Sequence, residues 1–594
     1  MWRMVRPVCR GWLVLSLLPL MAILLSKHSC LGCSPNISQA FERRAVDSSP
    51  RSEACFNLIR DWMSRCLSDH QDICGRPPAA FPSRLLDVGP ATSLGSALYL
   101  RVMDSAEAGL WVALSHCWGT RSDHFKTTTA NFQDRQSKIS FDSLPATFQD
   151  AAIVTRKLGF QYLWIDSLCI LQDDYEDWVH EASRMHEYYR DSTLTIAADC
   201  AAGDEEGFLN RDRPGVSVVT RFPLRGKASS TECESSSLSE NKLDFMFMRK
   251  SRQSLTNEKE PLHTRAWTLQ EHILSPRTVH YTSHELRWAC QTLVSSESHR
   301  YSDSRDMKHH FLVPTQKKYQ SSAPWSMNGS ILSWEDNDSS YLHWYQLLED
   351  YIHRKLTLAS DKLPAISGLA REVYLQTHSK YKAGIWMEDI HRGLLWTFYA
   401  RGQLPGAYRA PSWSWASLDI ATGIPVHDRF LALYQDDIAP ERPMADSTGH
   451  FQAEILECET KALSVDLFGQ VASGHITLRS YWISWTRGKT EGNPRLWPNR
   501  PTMERLFREP MFAQAPMVFN FDQYYKLCDE NNQFSDLSIV QILKFDRRIP
   551  DVQYGLLLRP AEIPGYFRRV GRVKLTGHED LSKGGWEMKT ITIV

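Results

Sequence analysis

The sequence lacks an excess of charge of either sign. Its 594 residues include 68 Lys and Arg against 69 Asp and Glu, which gives a formal net charge of −1. Proteins that hold nucleic acid or an anionic membrane surface electrostatically need a basic patch, and the sequence contains none. We therefore expect no nucleic-acid partner. A phosphate-binding loop of the Walker form and a repeat of solenoid period are also missing from the sequence.

A disulfide framework is missing as well. The 13 Cys are odd in number and scattered with few close pairs, which favours a reducing, intracellular environment. Cys66, His70 and Cys74 follow at i, i+4 and i+8 of a predicted helix, so they could bind a metal if a fourth ligand came from elsewhere. The alternative is a packed helix end in which Cys acts as a small hydrophobe. We favour the second interpretation and expect no metal.

The apolar stretch from Trp12 to Leu25 is shorter than the ~20 residues of a membrane-spanning helix. It follows Arg3, Arg6 and Arg10, as the apolar region of a signal peptide follows its basic region. Residues 1–28 are therefore interpreted as a leader that is cleaved or anchors the chain, with a non-functional N-terminus as the alternative. A cytoplasmic location is expected, and this segment leaves secretory or membrane targeting open.

Hydrophobic periodicity divides the remaining chain into four regions. Residues 50–110 are predicted to be a helical segment, and 111–290 alternate between short apolar strands and amphipathic helices around a polar insertion at 226–260. Residues 331–430 are helical and Trp-rich, and 440–594 are rich in predicted strands. Strand, helix and strand in sequence predict a parallel β-α-β core, so the fold class is α/β.

Residues 111–290 contain four distinctive sequence blocks. They are Trp111-Val-Ala-Leu-Ser-His-Cys-Trp-Gly119, Leu144-Pro-Ala-Thr-Phe-Gln-Asp150, Tyr162-Leu-Trp-Ile-Asp166 with its continuation to Asp174, and Arg265-Ala-Trp-Thr-Leu-Gln-Glu271. These blocks resemble the fungal heterokaryon incompatibility (HET) domain. Downstream, the Trp-rich segments around Trp386, Trp396, Trp413 and Trp415 resemble the tail of full-length members of that family, and most of the 20 Trp are expected in the core.

The resemblance implies a role in nonself recognition between fungal individuals and in programmed cell death of fused cells. It also implies a core remotely similar to Toll/interleukin-1 receptor (TIR) folds, some of which cleave NAD. No cofactor is expected, and NAD would be a substrate. The alternative is a non-catalytic module that associates with itself or recruits an unknown protein partner.

If the protein cleaves NAD, as the resemblance implies, we expect a carboxylate to stabilise the oxocarbenium-like transition state. Asp166 follows a predicted strand, at the end where α/β sheets bind ligands, and Glu271 is slightly preferred to it. Each has a structural alternative: Asp166 as an acceptor for backbone N–H groups or Arg265, and Glu271 in a buried ion pair. The expected pocket is completed by Ser115, His116, Cys117, Trp118, Cys169, Asp173, Arg265, Trp267 and Gln270.

A thiol nucleophile is a further alternative, with Cys117 or Cys169 as the nucleophile. Adjacent residues of a strand point to opposite faces, so His116 is badly placed to act as the base for Cys117. Buried Cys usually serves packing.

Overall fold

The structure is a computed structural model, and its helices and strands fall into two units. Unit 1 comprises residues 1–178, 188–264 and 275–309, and unit 2 comprises 179–187, 265–274 and 310–594. The residues that the structure describes are 46–75, 79–90, 97–211 without 105 and 122, 213, 220–224, 244–248, 260–298, 336–396, 402–420, 449–485, 517–521, 537–545, 552–576 and 586–594. The predicted leader and most of the predicted insertion at 226–260 lie outside them.

The helices follow the apolar periodicity of the sequence. Within the described ranges they are α1 (Glu53–Asp69), α2 (Gln71–Cys74), α3 (Phe132–Ser137), α4 (Ala146–Lys157), α5 (Asp166–Cys169), α6 (Tyr175–Arg190), α7 (Trp267–Leu274), α8 (Asp336–Tyr351), α9 (Pro364–Thr377) and α10 (Ile390–Gly393). The predicted helix that carries Cys66, His70 and Cys74 is interrupted at His70, whose φ of −125° and ψ of 24° are not helical. None of the helices in these ranges is both long and apolar enough to cross a bilayer.

Unit 1 contains the first half of the strands. They are β1 (Ala79–Ala80), β2 (Arg84–Asp87), β3 (Tyr99–Val102), β4 (Ala108–Gly109), β5 (Val112–Ser115), β6 (Tyr162–Trp164), β7 (Leu194–Ala197), β8 (Thr220–Leu224), β9 (Asp244–Met248), β10 (Arg277–Tyr281), β11 (Leu286–Cys290) and β12 (Val294–Ser296). The strand β9 falls within the predicted insertion at 226–260.

Among the described residues of unit 1, eight strands form a mixed sheet in the order β12-β11-β10-β7-β5-β6-β2-β3. β5 pairs in parallel with β6 and with β7, and β7 pairs in parallel with β10. The other neighbouring pairs are antiparallel. All four residues of β5 and of β7 are buried, as expected for central strands covered on both faces. The chain therefore has a mixed α/β fold.

In the part of the chain that the structure describes, unit 2 combines helices with strands whose pairings are antiparallel, except for one short parallel pairing between residues 566–567 and 592–593. The strands are β13 (Tyr381–Lys382), β14 (Ile385–Trp386), β15 (Gly402–Gln403), β16 (Asp419–Ile420), β17 (Gly449–Phe451), β18 (Glu454–Ala462), β19 (Val471–Trp485), β20 (Met517–Phe521), β21 (Leu537–Phe545), β22 (Val552–Pro560), β23 (Tyr566–Thr576) and β24 (Glu587–Ile593). Those from β17 onward belong to one sheet.

Tryptophan rings fill the core of unit 2. Trp344, Trp386, Trp396, Trp413 and Trp415 are each at most 1 % exposed. The Trp344 and Trp386 rings meet edge to face at 5.7 Å between centroids. The Trp396 indole donates to the Trp413 carbonyl oxygen at 2.8 Å, and the Trp415 indole donates to a further backbone carbonyl. These contacts explain why the segments around 386–415 are rich in Trp.

Candidate functional site at the carboxyl edge of the parallel strands

The strand order of unit 1 changes direction between β5 and β7. From β5 the chain continues through α4 to β6 on one side, whereas from β7 it continues to β10 on the other side. Open α/β sheets bind ligands in the crevice at such a point, beyond the carboxyl ends of the strands. A backbone hydrogen bond from Ala198 N–H to the Ser115 carbonyl oxygen, 3.0 Å long, joins the two strand ends there.

A buried imidazole lies between two carboxylates at this edge. His116 follows β5, and its side chain is only 1 % exposed. Its Nδ1 lies 3.7 Å from Asp166 Oδ1, and its Nε2 lies 3.8 Å from Asp204 Oδ1. Asp166 follows β6, so two of the predicted pocket residues meet because their strands are parallel neighbours.

Trp118 fixes the orientation of the Asp166 carboxylate. Its indole N–H donates to Asp166 Oδ2 at 2.9 Å, while Asp166 Oδ1 accepts from the Ser167 amide at 2.7 Å. The Trp118 ring also meets the His124 ring edge to face, with 5.5 Å between centroids. The Asp166 side chain keeps 21 % of its surface exposed, so it is the accessible carboxylate of this group, whereas that of Asp204 is 6 % exposed.

A second carboxylate cluster follows β7. Asp199 is buried, and its Oδ2 lies 3.1 Å from His263 Nε2 and 3.0 Å from His280 Nδ1. Burial alone would raise the pKa of Asp199, but the attraction to His280 and His263 outweighs it and holds that pKa well below its ordinary range. Two imidazoles and one carboxylate within 4.8 Å of one another could also hold a divalent cation.

Two close contacts hold the loops of the site in place. Gly119 has φ +93°, and a Cβ built there would lie 3.2 Å from the Gly203 Cα, so the loops after β5 and β7 touch backbone to backbone. At the start of α4, the Thr147 amide donates to the Asp204 carbonyl oxygen at 2.8 Å. Asp150 Oδ2 accepts from the amides of Phe208 and Leu209 at 2.7 and 2.9 Å. The Leu144–Asp150 block thus positions the loop that carries Asp204.

Three other residues predicted for the pocket have mainly structural surroundings. Cys117 packs in a small buried cluster with Ala197 and Leu262. Cys169 is fully buried at the end of α5. Asp173 is exposed and accepts from the Thr129 amide and hydroxyl at 2.8 and 2.7 Å, and the hydrogen bond from the Thr129 hydroxyl lowers its pKa.

The remaining predicted residues lie in unit 2, on or just before α7. The Trp267 indole donates to Asp361 Oδ2 at 3.3 Å, and Gln270 Oε1 accepts from the Gly368 amide at 2.7 Å, so both anchor neighbouring segments of unit 2. The carbonyl oxygen of Arg265 accepts from Arg354. Glu271 is buried on α7. The hydrogen bond from Ser167 N–H to Asp166 is of the kind expected under the structural alternative for that carboxylate.

Sequence reasoning missed Asp199, Asp204, His124, His263 and His280. Asp199 follows a buried strand in the same way as Asp166, so that signal was available in the sequence. The two imidazoles of its cluster were not predictable in this way, because both are distant in sequence. His280 reaches Asp199 through the parallel pairing of β7 with β10, and His263 comes from a turn 64 positions after Asp199.

The unit 1 fold and its polar edge define an α/β domain with a candidate binding crevice at the carboxyl ends of parallel strands. Residues 111–271 match the family model described as "Heterokaryon incompatibility protein (HET)". The chain is therefore a HET domain-containing protein. No curated protein and no solved structure matches it.

Proposed function

We propose that this protein acts in nonself recognition and cell-death signalling of the HET type, and that it does so by cleaving NAD at the Asp166 site. The observation that carries the proposal is the partly exposed Asp166 carboxylate, held by Trp118 and adjacent to His116 at the carboxyl edge of the sheet. The parallel pairing of β5, β6 and β7 is compatible with the remotely TIR-like core that family resemblance implies.

The reaction is hydrolysis of the bond between nicotinamide and ribose. The C–N bond breaks, its electron pair leaves with nicotinamide, and positive charge develops on the ribose ring. The Asp166 carboxylate opposes that charge and accepts hydrogen bonds from ribose hydroxyls. Water then adds to the ribose carbon and loses a proton, which yields ADP-ribose. Trp118 acts as a positioning residue, since its indole N–H orients the carboxylate.

The test is expression in a fungal host with cell survival and cellular NAD measured together. Wild-type protein should deplete NAD and kill cells, and Asp166→Asn should do neither. Asp142→Asn is the matched control, because Asp142 is an exposed carboxylate of the same unit, outside the site. Loss of activity in Glu271→Gln, with Asp166→Asn active, would assign the reaction to the other predicted carboxylate instead.

Two results would contradict the proposal. Death with undiminished NAD would favour the non-catalytic module that associates with itself or with a partner. Equal NAD depletion by wild type and both carboxylate variants would remove the carboxylate mechanism altogether.

A further inference from the structure

We infer that Cys66, His70, Cys74 and Cys290 form a structural zinc site in unit 1. Their ligand atoms, three sulfurs and one imidazole nitrogen, all lie within 4.8 Å of one another. The inference is independent of the proposed NAD chemistry, and it differs from our expectation from the sequence, which was a packed helix end with no metal.

Local backbone geometry brings the first three ligands together. α1 ends at Asp69, but the hydrogen bonds from His70 N–H to the Cys66 carbonyl and from Cys74 N–H to the His70 carbonyl, 3.2 and 2.7 Å long, keep the i to i−4 spacing through the break. The side chains at 66, 70 and 74 therefore stay on one side of the chain. The fourth ligand, absent from that segment, is Cys290 at the end of β11.

The distances suit a tetrahedral ion. With Zn–S near 2.3 Å and Zn–N near 2.0 Å, neighbouring ligand atoms of a tetrahedron are about 3.5–3.8 Å apart. Cys290 Sγ lies 3.7 Å from His70 Nδ1. Cys66, Cys74 and Cys290 are each at most 2 % exposed, and His70 is partly buried. Three thiols and one imidazole make up a recognised structural zinc set, and four protein ligands leave no open position for catalysis.

The surroundings of the ligands resemble the outer shell of a thiolate site. The Leu293 amide donates to Cys290 Sγ at 3.4 Å, and the Thr292 hydroxyl lies 3.4 Å from Cys74 Sγ. Such hydrogen bonds orient metal ligands and tune their basicity. A merely apolar role for these Cys does not account for a histidine nitrogen beside a sulfur. A disulfide between two of them would account for two sulfurs only and would not explain why the third thiol and the imidazole lie beside them.

The site would fasten the N-terminal helical segment to the β10–β11 hairpin. The same two segments also meet through the Trp62 and Trp288 rings, 6.0 Å apart, and through a hydrogen bond of 2.6 Å from Arg277 to the Cys74 carbonyl oxygen. Because residues 74 and 290 are far apart in sequence, a metal that joins them removes many conformations of the unfolded chain. Metal binding is then coupled to folding, and three thiol protons are released when the thiolates bind zinc.

The test is the metal content of the purified full chain, measured by mass spectrometry after dialysis against metal-free buffer. Wild type should retain one more zinc per chain than Cys66→Ser or Cys290→Ser. Cys55→Ser is the matched control, since Cys55 is another buried residue of α1 outside the cluster, and it should keep the zinc. Asp199→Asn should also keep it, which separates this ion from any held by the Asp199 cluster.

A second set of measurements guards against variants that fail to fold. Cobalt exchanged into wild-type protein should give the intense visible bands of a tetrahedral site and sulfur-to-cobalt charge transfer from three thiolates. His70→Cys should bind zinc because four thiolates also form a structural site, whereas His70→Ala should bind it more weakly. Wild-type protein without zinc and without the cobalt spectrum would overturn the inference, as would full zinc retention in both serine variants.

Discussion

Replacing Gly119 with alanine tests how closely the loops of the candidate site are packed. The substitution introduces two separate costs. At φ +93° an L-residue is strained by about 1–2 kcal/mol. The new Cβ would also lie 3.2 Å from the Gly203 Cα, and forcing backbone atoms apart costs about 1–3 kcal/mol. Reduced entropy of the unfolded chain returns about 0.4–1 kcal/mol. The expected net loss in the free energy of unfolding is about 3 kcal/mol.

Two other glycines of unit 1 separate these costs. Gly159 has φ +87° with no atom within 4 Å of an added Cβ, so Gly159→Ala measures strain alone, at about 1 kcal/mol net. Gly203→Ala measures the close approach alone, because its Cβ would lie 3.2 Å from the Gly119 Cα. Its expected cost is also about 1 kcal/mol net. Each of these two variants gains the unfolded-chain entropy term once, whereas Gly119→Ala gains it only once while it incurs both costs. The loss in free energy of unfolding for Gly119→Ala should therefore exceed the sum of the other two losses by one entropy term.

Urea denaturation measures the loss in free energy of unfolding. Native-state hydrogen exchange of peptides from β5 and β7 reports opening of the unit 1 core separately. A loss of about 3 kcal/mol lowers amide protection roughly a hundredfold. Gly119→Ala and Gly159→Ala with equal losses would refute the reasoning, since the loops would then not be in contact. A Gly203→Ala variant as stable as wild type would refute it as well.

Two further predictions concern one carboxyl group in each unit, the half-buried Glu349 and the buried Asp150. Burial raises the pKa of Glu349 from 4.5 to about 7, so the folded chain should lose stability as pH rises between these values. Glu349→Gln should accordingly raise the free energy of unfolding of unit 2 by about 1–2 kcal/mol at pH 8, after allowance for partial exposure, and by nearly nothing at pH 4. Denaturation at both pH values measures this difference, and Glu454→Gln, at an exposed position, is the control. In unit 1, Asp150→Ala leaves the amides of Phe208 and Leu209 without their acceptor, at a cost of about 2–4 kcal/mol. Hydrogen exchange of the peptide over 203–209 should speed up, and unchanged exchange there would contradict the role given to Asp150.

Hydrophobic periodicity predicted the strands and helices of unit 1 more accurately than the contacts between them. The apolar runs at 112–115, 162–164 and 194–197 form strands because they are short, continuous and bounded by turn residues. Asp166 lies at a strand end as predicted. The helix break at His70 was not predicted, because nothing in the composition of the segment marks it.

Long-range pairing accounts for most of what was missed. Cys290 reaches the Cys66 cluster only through the β10–β11 hairpin, and His280 reaches Asp199 only through the β7–β10 pairing. Trp267 and Gln270 serve in unit 2 because their partners, Asp361 and Gly368, lie about ninety residues further along the chain. A linear motif contains no information on such partners.

Nicotinamide release from NAD by the purified full chain shows whether Asp166 carries the reaction. We expect release by wild type and by Asp142→Asn, and release reduced at least a hundredfold in Asp166→Asn, because one electrostatic contact to the transition state is lost. Release by Asp166→Asn at the wild-type rate would contradict NAD cleavage at this carboxylate.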